Sequence, residues 1–322
     1  MGHHVVLLDH STEATVARLR ALLPEGWTLT AGTARGDEHM KEIIAEADFA
    51  IAGQVGVGAE VLGAARKLKL LQKWGVGYDN LDLEAARRLG IKVARTTGSN
   101  AAPVAEFTLG LMLSTLRQIA WSHMHMQAGE WKGGRMPRES YLLGGKTVGI
   151  VGFGAIGSRV AALLRGFECT VLYTQRTRLP PDEEAARGVR HASIDEIIER
   201  ADVISLHCPL TPATANLFSD DAFRRMKNTA VLITVARGGV VDEPALARAL
   251  AAREILAAAA DVFAEEPLPA DSPLVGLDHV VLTPHLAAGS VDVFAPTVRR
   301  MFRNMKHVAD GEPVPAIDSL VE

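Results

Sequence analysis

The chain has 322 residues, of which 48% are hydrophobic and 22% charged, and its formal net charge is −4. This length exceeds what one hydrophobic core usually serves, so two domains are expected. The small acidic balance, with both signs interspersed, excludes the basic face of a nucleic-acid-binding protein and a disordered acidic tail. The two cysteines lie in unrelated contexts and predict neither disulfides nor a zinc knuckle. We therefore expect no metal site and a reducing, cytoplasmic location.

The first hundred residues alternate strand-like apolar runs with amphipathic helical runs. The N-terminus has no basic region and only four consecutive apolar residues, so no signal peptide is expected. No apolar run approaches the ~18 residues that a membrane span needs. The βα rhythm predicts a parallel sheet covered by helices on both faces. Its strand-like runs read HVVLLD, DFAIAG, KLLQKWG and IKVART.

A long helical stretch is predicted to begin near Asn100, with apolar residues from Val104 to about Met126. Apolar residues recur along this stretch, and Pro103 falls in its first turn, where proline is tolerated. Residues 127–146 are rich in glycine, proline and charges, and we interpret them as a loop or arm between domains. The rhythm then resumes and continues into a C-terminal helix, so two successive βα domains are the simplest organisation.

Gly152, Gly154 and Gly157 form a G-x-G-x-x-G pattern between a β-rich apolar run and an amphipathic helix. Glycines at this spacing allow a tight turn, close approach of the backbone to a pyrophosphate, and close contact of strand and helix. The helix N-terminus would then face the phosphates with free N–H groups. The pattern in this context predicts a dinucleotide-binding turn.

The strand after the glycine turn ends without the carboxylate that usually holds the ribose of NAD. An acidic residue is expected about 20 residues beyond the last glycine. Gln175 stands 18 residues after Gly157, and Arg176 and Arg178 follow it. A carboxylate at this position would repel a 2′-phosphate, and this sequence has none there. We therefore predict a preference for NADP(H), with Arg176 as the main phosphate contact and Arg178 as the secondary one. The alternative is that both arginines are solvated and that NAD(H) is also used.

Several stretches together resemble the D-isomer-specific 2-hydroxyacid dehydrogenases, and the glyoxylate/hydroxypyruvate reductases among them in particular. The resemblance implies an α/β fold of two Rossmann-like or flavodoxin-like βα domains with parallel sheets. Residues 1–100 and 290–322 would form the substrate domain, residues 101–289 the inserted dinucleotide-binding domain, and two chains a homodimer. The stretches are VGFGAIG (151–157), LHCPLTPAT (206–214), VARGGVVDEPAL (235–246), DVFAEEPLPADSPL (261–274) and LTPHLAAGS (282–290).

Three residues take catalytic roles by this resemblance: Arg237, Glu266 and His285. Their chemistry suits reduction of a 2-oxo acid. The planar donors of arginine hold a carboxylate in a bidentate manner, and histidine exchanges protons near neutral pH. A carboxylate on the far ring nitrogen fixes the tautomer, and Glu266 is the candidate for this partner, with the adjacent Glu265 as its rival.

The substrate carboxylate is expected to bind the backbone N–H groups of Val76 and Gly77, which lie in a turn resembling the family's substrate loop. Asn100 matches a frequent asparagine before the crossing helix, although it could serve only as a helix N-cap. Arg95 and Thr97 depart from the asparagine and proline that are usual in the family's substrate loop. These departures bear on the size and orientation of the substrate.

The resemblance also implies a set of cofactor contacts around the glycine turn and the neighbouring strand ends. Asp261 resembles the residue near the nicotinamide carboxamide, and the backbone at Val235 and Ala236 lies there too. The full set is Gly152, Phe153, Gly154, Ala155, Ile156, Gly157, Gln175, Arg176, Arg178, His207, Cys208, Pro209, Thr214, Val235, Ala236, Arg237, Asp261, His285, Ala287 and Gly289.

The sequence thus predicts an enzyme that transfers a hydride between NAD(P)H and a small 2-oxo or D-2-hydroxy acid, such as glyoxylate or hydroxypyruvate. One alternative is a cofactor-sensing, corepressor-like binding protein. Another is a phosphite or formate dehydrogenase on the same scaffold. Glu266 stands where formate dehydrogenases tend to have glutamine, which argues against formate. We expect a small-molecule substrate as partner, and neither nucleic acid nor a membrane.

Overall fold

The computed structural model describes residues 2–133 and 140–322. The chain divides into two compact units: a first unit, Met1–Asn100 with Gly289–Glu322, and an inserted unit, Ala101–Ala288. Each unit has its own sheet and its own hydrophobic cores. This confirms the predicted fold class of two parallel-sheet, Rossmann-like α/β units. Residues 134–139 of the predicted arm lie outside the described residues.

The N-terminal segment alternates strands and helices as its rhythm predicts. Helix boundaries follow local capping: the Asp82 carboxylate accepts a hydrogen bond from Ala85 N at 2.8 Å, and Gly90 ends that helix with a φ of 69°. The elements are β1 His4–His10, α1 Glu13–Arg20, β2 Thr28–Gly32, α2 Asp37–Ile44, β3 Phe49–Ala52, α3 Ala59–Ala64, β4 Leu70–Lys73, α4 Leu83–Leu89 and β5 Lys92–Ala94.

The helical stretch predicted to begin near Asn100 consists of two helices in the structure, α5 Ala101–Leu116 and α6 Ile119–Gln127. Gln118 adopts a left-handed conformation with a φ of 55°. The carbonyl oxygen of Leu116 accepts a hydrogen bond from Tyr141 N at 2.9 Å instead of continuing the helix. A contact with a later part of the chain thus ends α5, which apolar periodicity alone does not reveal.

The remainder of the inserted unit is a regular series of strands and helices. Its elements are β6 Thr147–Val151, α7 Ala155–Leu164, β7 Thr170–Thr174, α8 Pro181–Arg187, β8 Val189–His191, α9 Ile194–Arg200, β9 Val203–Leu206, α10 Asp220–Arg225, β10 Val231–Thr234, α11 Glu243–Ala251, β11 Ala257–Ala260 and β12 Val280–Leu282. All neighbouring strands pair in parallel, in the order β12-β11-β10-β9-β6-β7-β8. The strand order reverses between β6 and β9, and α/β sheets bind ligands at the carboxyl ends of strands at such a point.

The chain returns to the first unit through α12, Val291–Ala309, and β13, Ser319–Val321. The first unit's sheet has the order β13-β5-β4-β3-β1-β2, and β13 is antiparallel to β5 while the other pairs are parallel. Helix α12 buries Val298, Met301 and Met305 in the core on one face of this sheet. Among residues 2–133 and 140–322, no helix is both long enough and apolar enough to cross a membrane.

Candidate active site

The turn after β6 places three glycines in three different environments. Gly152 has a φ of 95°, and a Cβ there would lie 2.6 Å from the backbone nitrogen of Cys208, so only glycine fits. A Cβ on Gly157 would lie 2.2 Å from the carbonyl oxygen of Gly152, so this glycine lets α7 pack closely on the turn. A Cβ on Gly154 would meet no atom of the described residues within 4 Å, so the space beside its backbone is open. A turn that binds pyrophosphate needs these three properties.

Helix α7 begins at this turn with unpaired N–H groups. Its N-cap, Gly154, has no side chain to cap it. The amide groups of Ala155 and Ile156 donate to no acceptor in the described part of the chain. Phe153 is buried and packs against Tyr173, with ring centroids 4.4 Å apart. Free N–H groups and the positive end of the helix dipole attract phosphate oxygens, so a dinucleotide fits this turn.

His207 follows β9 on the other side of the point where the strand order reverses. Its backbone N donates to Val151 O at 2.7 Å, which fixes the end of β9 beside the turn. Its ring Nε2 lies 2.9 Å from Ser205 Oγ, whereas Nδ1 is buried without a hydrogen-bond partner among the described residues. Burial lowers the pKa of His207 to about 3, so its ring is neutral at physiological pH.

The loop from Pro209 to Thr214 is closed by its own side chains. Thr214 Oγ1 donates to Pro209 O at 2.6 Å and accepts from Thr211 N at 2.8 Å. Cys208, just before the loop, is a buried free thiol. The Thr214 hydroxyl therefore shapes the loop, and a cofactor would meet the backbone that it holds.

The end of β7 lies beside the glycine turn, because Gly152 N donates to Thr174 O at 2.9 Å. Gln175 comes next, and its Nε2 donates to Thr177 O at 2.6 Å. Arg176 is exposed and forms no hydrogen bond or ion pair with the residues that the structure describes. An uncharged side chain and an available arginine thus occupy the end of this strand.

Arg178, in contrast, is held in an ion pair within the chain. Its Nε and Nη2 lie 2.8 and 2.9 Å from Oε1 and Oε2 of Glu184. Glu184 Oε1 also accepts a hydrogen bond from the Tyr173 hydroxyl at 2.8 Å. The bonds from Arg178 lower the pKa of Glu184 to about 2. Arg178, which the sequence suggested as a secondary phosphate contact, therefore already uses two of its nitrogen atoms to bind Glu184.

Val235, Ala236 and Arg237 directly follow β10. Arg237 is half-buried, and its Nη1 donates to Ala236 O at 2.8 Å. The next residue, Gly238, is in tight contact with the loop after β11: a Cβ there would lie 1.8 Å from Phe263 O. This contact brings the segment that carries the arginine against the segment that carries the acid of the predicted pair.

His285 and Glu266 form the predicted pair. His285 Nδ1 lies 2.6 Å from Glu266 Oε2, and Glu266 Oε1 accepts a hydrogen bond from Phe263 N at 2.9 Å. Both side chains are 31% exposed, so solvent or a ligand reaches them. The rival Glu265 is exposed and makes no such contact among the described residues. A carboxylate on Nδ1 orients the ring and leaves Nε2 for proton exchange.

Asp261 positions the loop that carries His285. Its carboxylate is 1% exposed and accepts three hydrogen bonds, from Thr283 Oγ1 at 2.6 Å, Leu286 N at 3.0 Å and Ala287 N at 2.9 Å. The backbone N of His285 donates to Asp261 O at 2.8 Å. These bonds hold His285 in a left-handed conformation, with a φ of 50°. Both carboxylate oxygens of Asp261 are therefore used within the chain.

In the first unit, the loop after β4 carries the predicted substrate contacts. Gly75 has a φ of 131° and is fixed by Thr96, whose N and Oγ1 donate to Gly75 O at 3.0 and 3.1 Å. The backbone N–H groups of Val76 and Gly77 donate to no acceptor in the described residues, as a carboxylate-binding turn requires. Asn100 Oδ1 is buried without a described partner, so this oxygen does not cap α5.

Two further features complete the description of the predicted site. Gly289, predicted among the cofactor contacts, is the first residue of the C-terminal segment of the first unit. Within the described ranges, no group of three or more His, Cys, Asp or Glu side chains is arranged to hold a metal ion.

Sequence reasoning missed three hydroxyl residues that position the predicted ones: Thr96, Ser205 and Thr283. Ser205 and Thr283 each stand two residues before a histidine of interest. A serine that is fully buried in the otherwise apolar strand β9 needs a hydrogen-bond partner, so its position in the sequence could have indicated a polar contact with a nearby residue. No comparable indication exists in the sequence for Thr96, because its hydrogen-bond partner is the backbone of Gly75, which lies after a different strand.

The fold and the site define a dinucleotide-binding α/β protein with a carboxylate–imidazole pair on its inserted unit. Residues 109–287 match the family model described as D-isomer specific 2-hydroxyacid dehydrogenase, NAD binding domain. The chain belongs to this family, which consists of NAD-dependent oxidoreductases.

Relatives within the family carry different names. A glyoxylate reductase of Thermofilum pendens is 38% identical over 266 residues, which cover 81% of this chain and 78% of that protein. A D-3-phosphoglycerate dehydrogenase of Mycobacterium leprae is 37% identical over 314 residues, covering 97% of this chain but only 58% of the longer relative. The structure of a Granulicella formate dehydrogenase superposes with a TM-score of 0.91 at 26% identity, covering all of this chain and 98% of that one.

Proposed function

We propose that this chain interconverts a small 2-oxo acid and the corresponding D-2-hydroxy acid with a nicotinamide cofactor. The observation that carries the proposal is the 2.6 Å bond between His285 Nδ1 and Glu266 Oε2, in the same unit as the open glycine turn. An oriented imidazole is the group that a carbonyl reduction needs for its proton.

His285 acts as the acid and base of the reaction. When bound, the nicotinamide supplies a hydride to the substrate C2 in reduction and accepts it in oxidation. In reduction the His285 imidazolium donates the Nε2 proton to the carbonyl oxygen, which becomes the hydroxyl of the product. In oxidation neutral His285 takes that proton back. Glu266 holds Nδ1 throughout and balances the charge of the imidazolium.

Substrate carboxylate binding is assigned to two kinds of donor. The Arg237 guanidinium offers parallel N–H bonds to the carboxylate and polarises the adjacent carbonyl. The unpaired N–H groups of Val76 and Gly77 and the amide of Asn100 supply further donors. The name of the Thermofilum pendens relative supports glyoxylate as one substrate, and hydroxypyruvate has the same 2-oxo acid core.

For the cofactor we propose a preference for NADP(H), with NAD(H) as the weaker alternative. Gly154, Ala155 and Ile156 would face the pyrophosphate. Gln175 does not repel a 2′-phosphate, and exposed Arg176 has no described partner inside the chain. Since Arg178 is bonded to Glu184 at both carboxylate oxygens, the phosphate contact is assigned chiefly to Arg176.

A substrate screen with purified protein tests the function. Glyoxylate, hydroxypyruvate, pyruvate, phenylpyruvate, phosphite and formate are each followed by nicotinamide absorbance with both cofactors. Turnover of a 2-oxo acid that falls by about 100-fold or more in His285→Ala, with cofactor affinity retained, supports the proposal. Arg237→Lys should also lower turnover strongly, because a point charge replaces a planar fork.

Formate oxidation is the alternative that the Granulicella structure favours. Oxidation of formate to CO2 gives up a hydride and no proton, so an acid–base pair has no role in it. The bonded Glu266–His285 pair therefore favours the 2-oxo acid reaction. Formate or phosphite turnover without 2-oxo acid turnover in the same screen would reverse this assignment.

We further infer a homodimer that forms through the inserted unit, in a reducing compartment. Helix α6 has no buried residue, and Ile119, Met124 and Met126 are 55%, 68% and 52% exposed. Trp131, shortly after it, is 86% exposed. A set of large apolar side chains of this kind usually marks an interface. Both cysteines are free thiols, in keeping with a reducing environment.

A further inference from the structure

Arg95, directly after β5, carries a positive charge that has no counter-ion among the residues that the structure describes. Its side chain is half-buried, its Nε is buried without a hydrogen-bond partner, and it forms no ion pair with any described residue. Its Cζ lies 5.4 Å from the ring centroid of Tyr78. The carboxylate of Asp318, whose backbone Arg95 contacts, is already bonded to Arg300 at 2.6 Å. Partial burial of a cation costs desolvation free energy, and this cost is offset when an anion pairs with the cation.

Backbone contacts place Arg95 beside the loop whose two free N–H groups are assigned to the substrate carboxylate. Strands β4 and β5 are adjacent and parallel, so their carboxyl ends lie together. The residue after Arg95, Thr96, is bonded to Gly75 at the start of that loop. The ring of Tyr78, at the end of the loop, is the one over which the Arg95 guanidinium lies. The unpaired cation therefore belongs to the same local structure as the free N–H groups.

We propose that Arg95 selects 2-oxo acids that carry a second anionic group. The inference rests on the proposed function, in which the N–H groups of Val76 and Gly77 bind the carboxylate next to the carbonyl. A monoanion such as glyoxylate uses its one carboxylate at the Val76 and Gly77 N–H groups and provides no counter-ion for Arg95. A distal carboxylate or a phosphate ester supplies the missing counter-charge and accepts two parallel hydrogen bonds from the guanidinium.

Matched substrate pairs test the proposal, because they differ only in the second anion. One pair is 2-oxoglutarate and 2-oxopentanoate, and the other is 3-phosphohydroxypyruvate and hydroxypyruvate. The kcat/KM of wild type, Arg95→Gln and Arg95→Lys is measured for all four. Arg66→Gln is the control, since that arginine of the same unit is 76% exposed and pairs with Glu46.

We expect wild type to prefer the dianion of at least one pair by about tenfold or more, and the responding pair tells a carboxylate from a phosphate. Arg95→Gln should remove this preference, mainly through KM, whereas Arg95→Lys should keep part of it and Arg66→Gln all of it. If Arg95→Gln does not fold, the proposal is tested by the kcat/KM preference of wild type for the dianion and by the reduction of that preference in Arg95→Lys. Two results would overturn the role of Arg95. One is a wild type with equal kcat/KM for the dianion and the monoanion of both pairs. The other is an Arg95→Gln variant in which kcat/KM falls equally for both members of a pair. Absence of any 2-oxo acid turnover in wild type would instead overturn the proposed function.

Discussion

His285 Nδ1 and Glu266 Oε2 are 2.6 Å apart, although 19 residues separate them in the chain. Two anchors make this contact possible. Phe263 N bonds the second oxygen of Glu266, and the buried Asp261 carboxylate fixes the loop around His285. The pair is thus preorganised by the chain before any ligand binds, which limits the reorganisation needed during the reaction.

Glu266→Gln should lower kcat for 2-oxo acid reduction by about 10²-fold or more, because an amide cannot balance the charge of the imidazolium. Glu265→Gln is the matched control and should behave as wild type, since Glu265 lies next in sequence but does not contact the histidine. Steady-state kinetics and cofactor titration separate turnover from binding. Equal losses in both variants would show that the pair seen here has no role in the reaction.

Arg176→Ala should raise the KM for NADPH about tenfold or more and leave the KM for NADH nearly unchanged. The reason is the loss of a charge-assisted bond to the 2′-phosphate, which NADH lacks. Arg190→Ala is a control, because this arginine of the same unit pairs with Glu196 at the surface. A wild type that prefers NADH, or a variant equally impaired with both cofactors, contradicts the assignment.

Gly154→Ala should fold as stably as wild type but bind cofactor at least about tenfold more weakly. A Cβ at this position meets no described atom within 4 Å, yet it would occupy the space open to the pyrophosphate. Gly157→Ala should instead destabilise the fold by about 1–3 kcal/mol, because its Cβ would lie 2.2 Å from Gly152 O. Thermal unfolding and fluorescence titration with NADPH measure the two effects. A Gly154→Ala variant with wild-type affinity would place the cofactor elsewhere.

Glu184→Gln should destabilise the protein near neutral pH and lose this effect in acid. The bonds from Arg178 lower the pKa of Glu184 from its usual 4.5 to about 2 in the folded state. Ionised Glu184 therefore stabilises the fold at pH values above about 4.5, and this contribution disappears as the pH falls towards 2. Denaturant unfolding between pH 3 and 7 should show the gap between variant and wild type narrowing. Glu183→Gln, which removes only an exposed pair with Arg187, is the control.

Met124→Glu should convert the proposed dimer to monomer, because it places a charge within the exposed apolar side chains of α6. Leu89→Glu is the matched control: Leu89 is 50% exposed but lies at the end of α4 in the first unit. Light scattering coupled to gel filtration gives the mass of each. A monomeric wild type, or a dimer that survives Met124→Glu, rules out this interface.

Much of the fold follows from the sequence alone. Periods of two and of about 3.6 in the apolar residues are local properties, and they predict most of the strands and helices. Short elements without a clear apolar pattern, such as β8 and β13, were not predicted. The break between α5 and α6 was not predicted, because nothing local shows that Leu116 O accepts a hydrogen bond from Tyr141 N.

For the site, the sequence determined the residue types and their order: the three glycines, Arg237, an acid in the Glu265–Glu266 dipeptide, and His285. Only the tertiary structure decided which side chains meet. It paired Glu266 with the histidine and Arg178 with Glu184, and within the described part of the chain it left Arg95 without a counter-ion. The physical reason is that hydrogen bonds and ion pairs depend on distances of about 3 Å between atoms far apart in the chain. Sequence spacing fixes such distances only within one helix or strand, so the choice between neighbouring charged residues belongs to the folded structure.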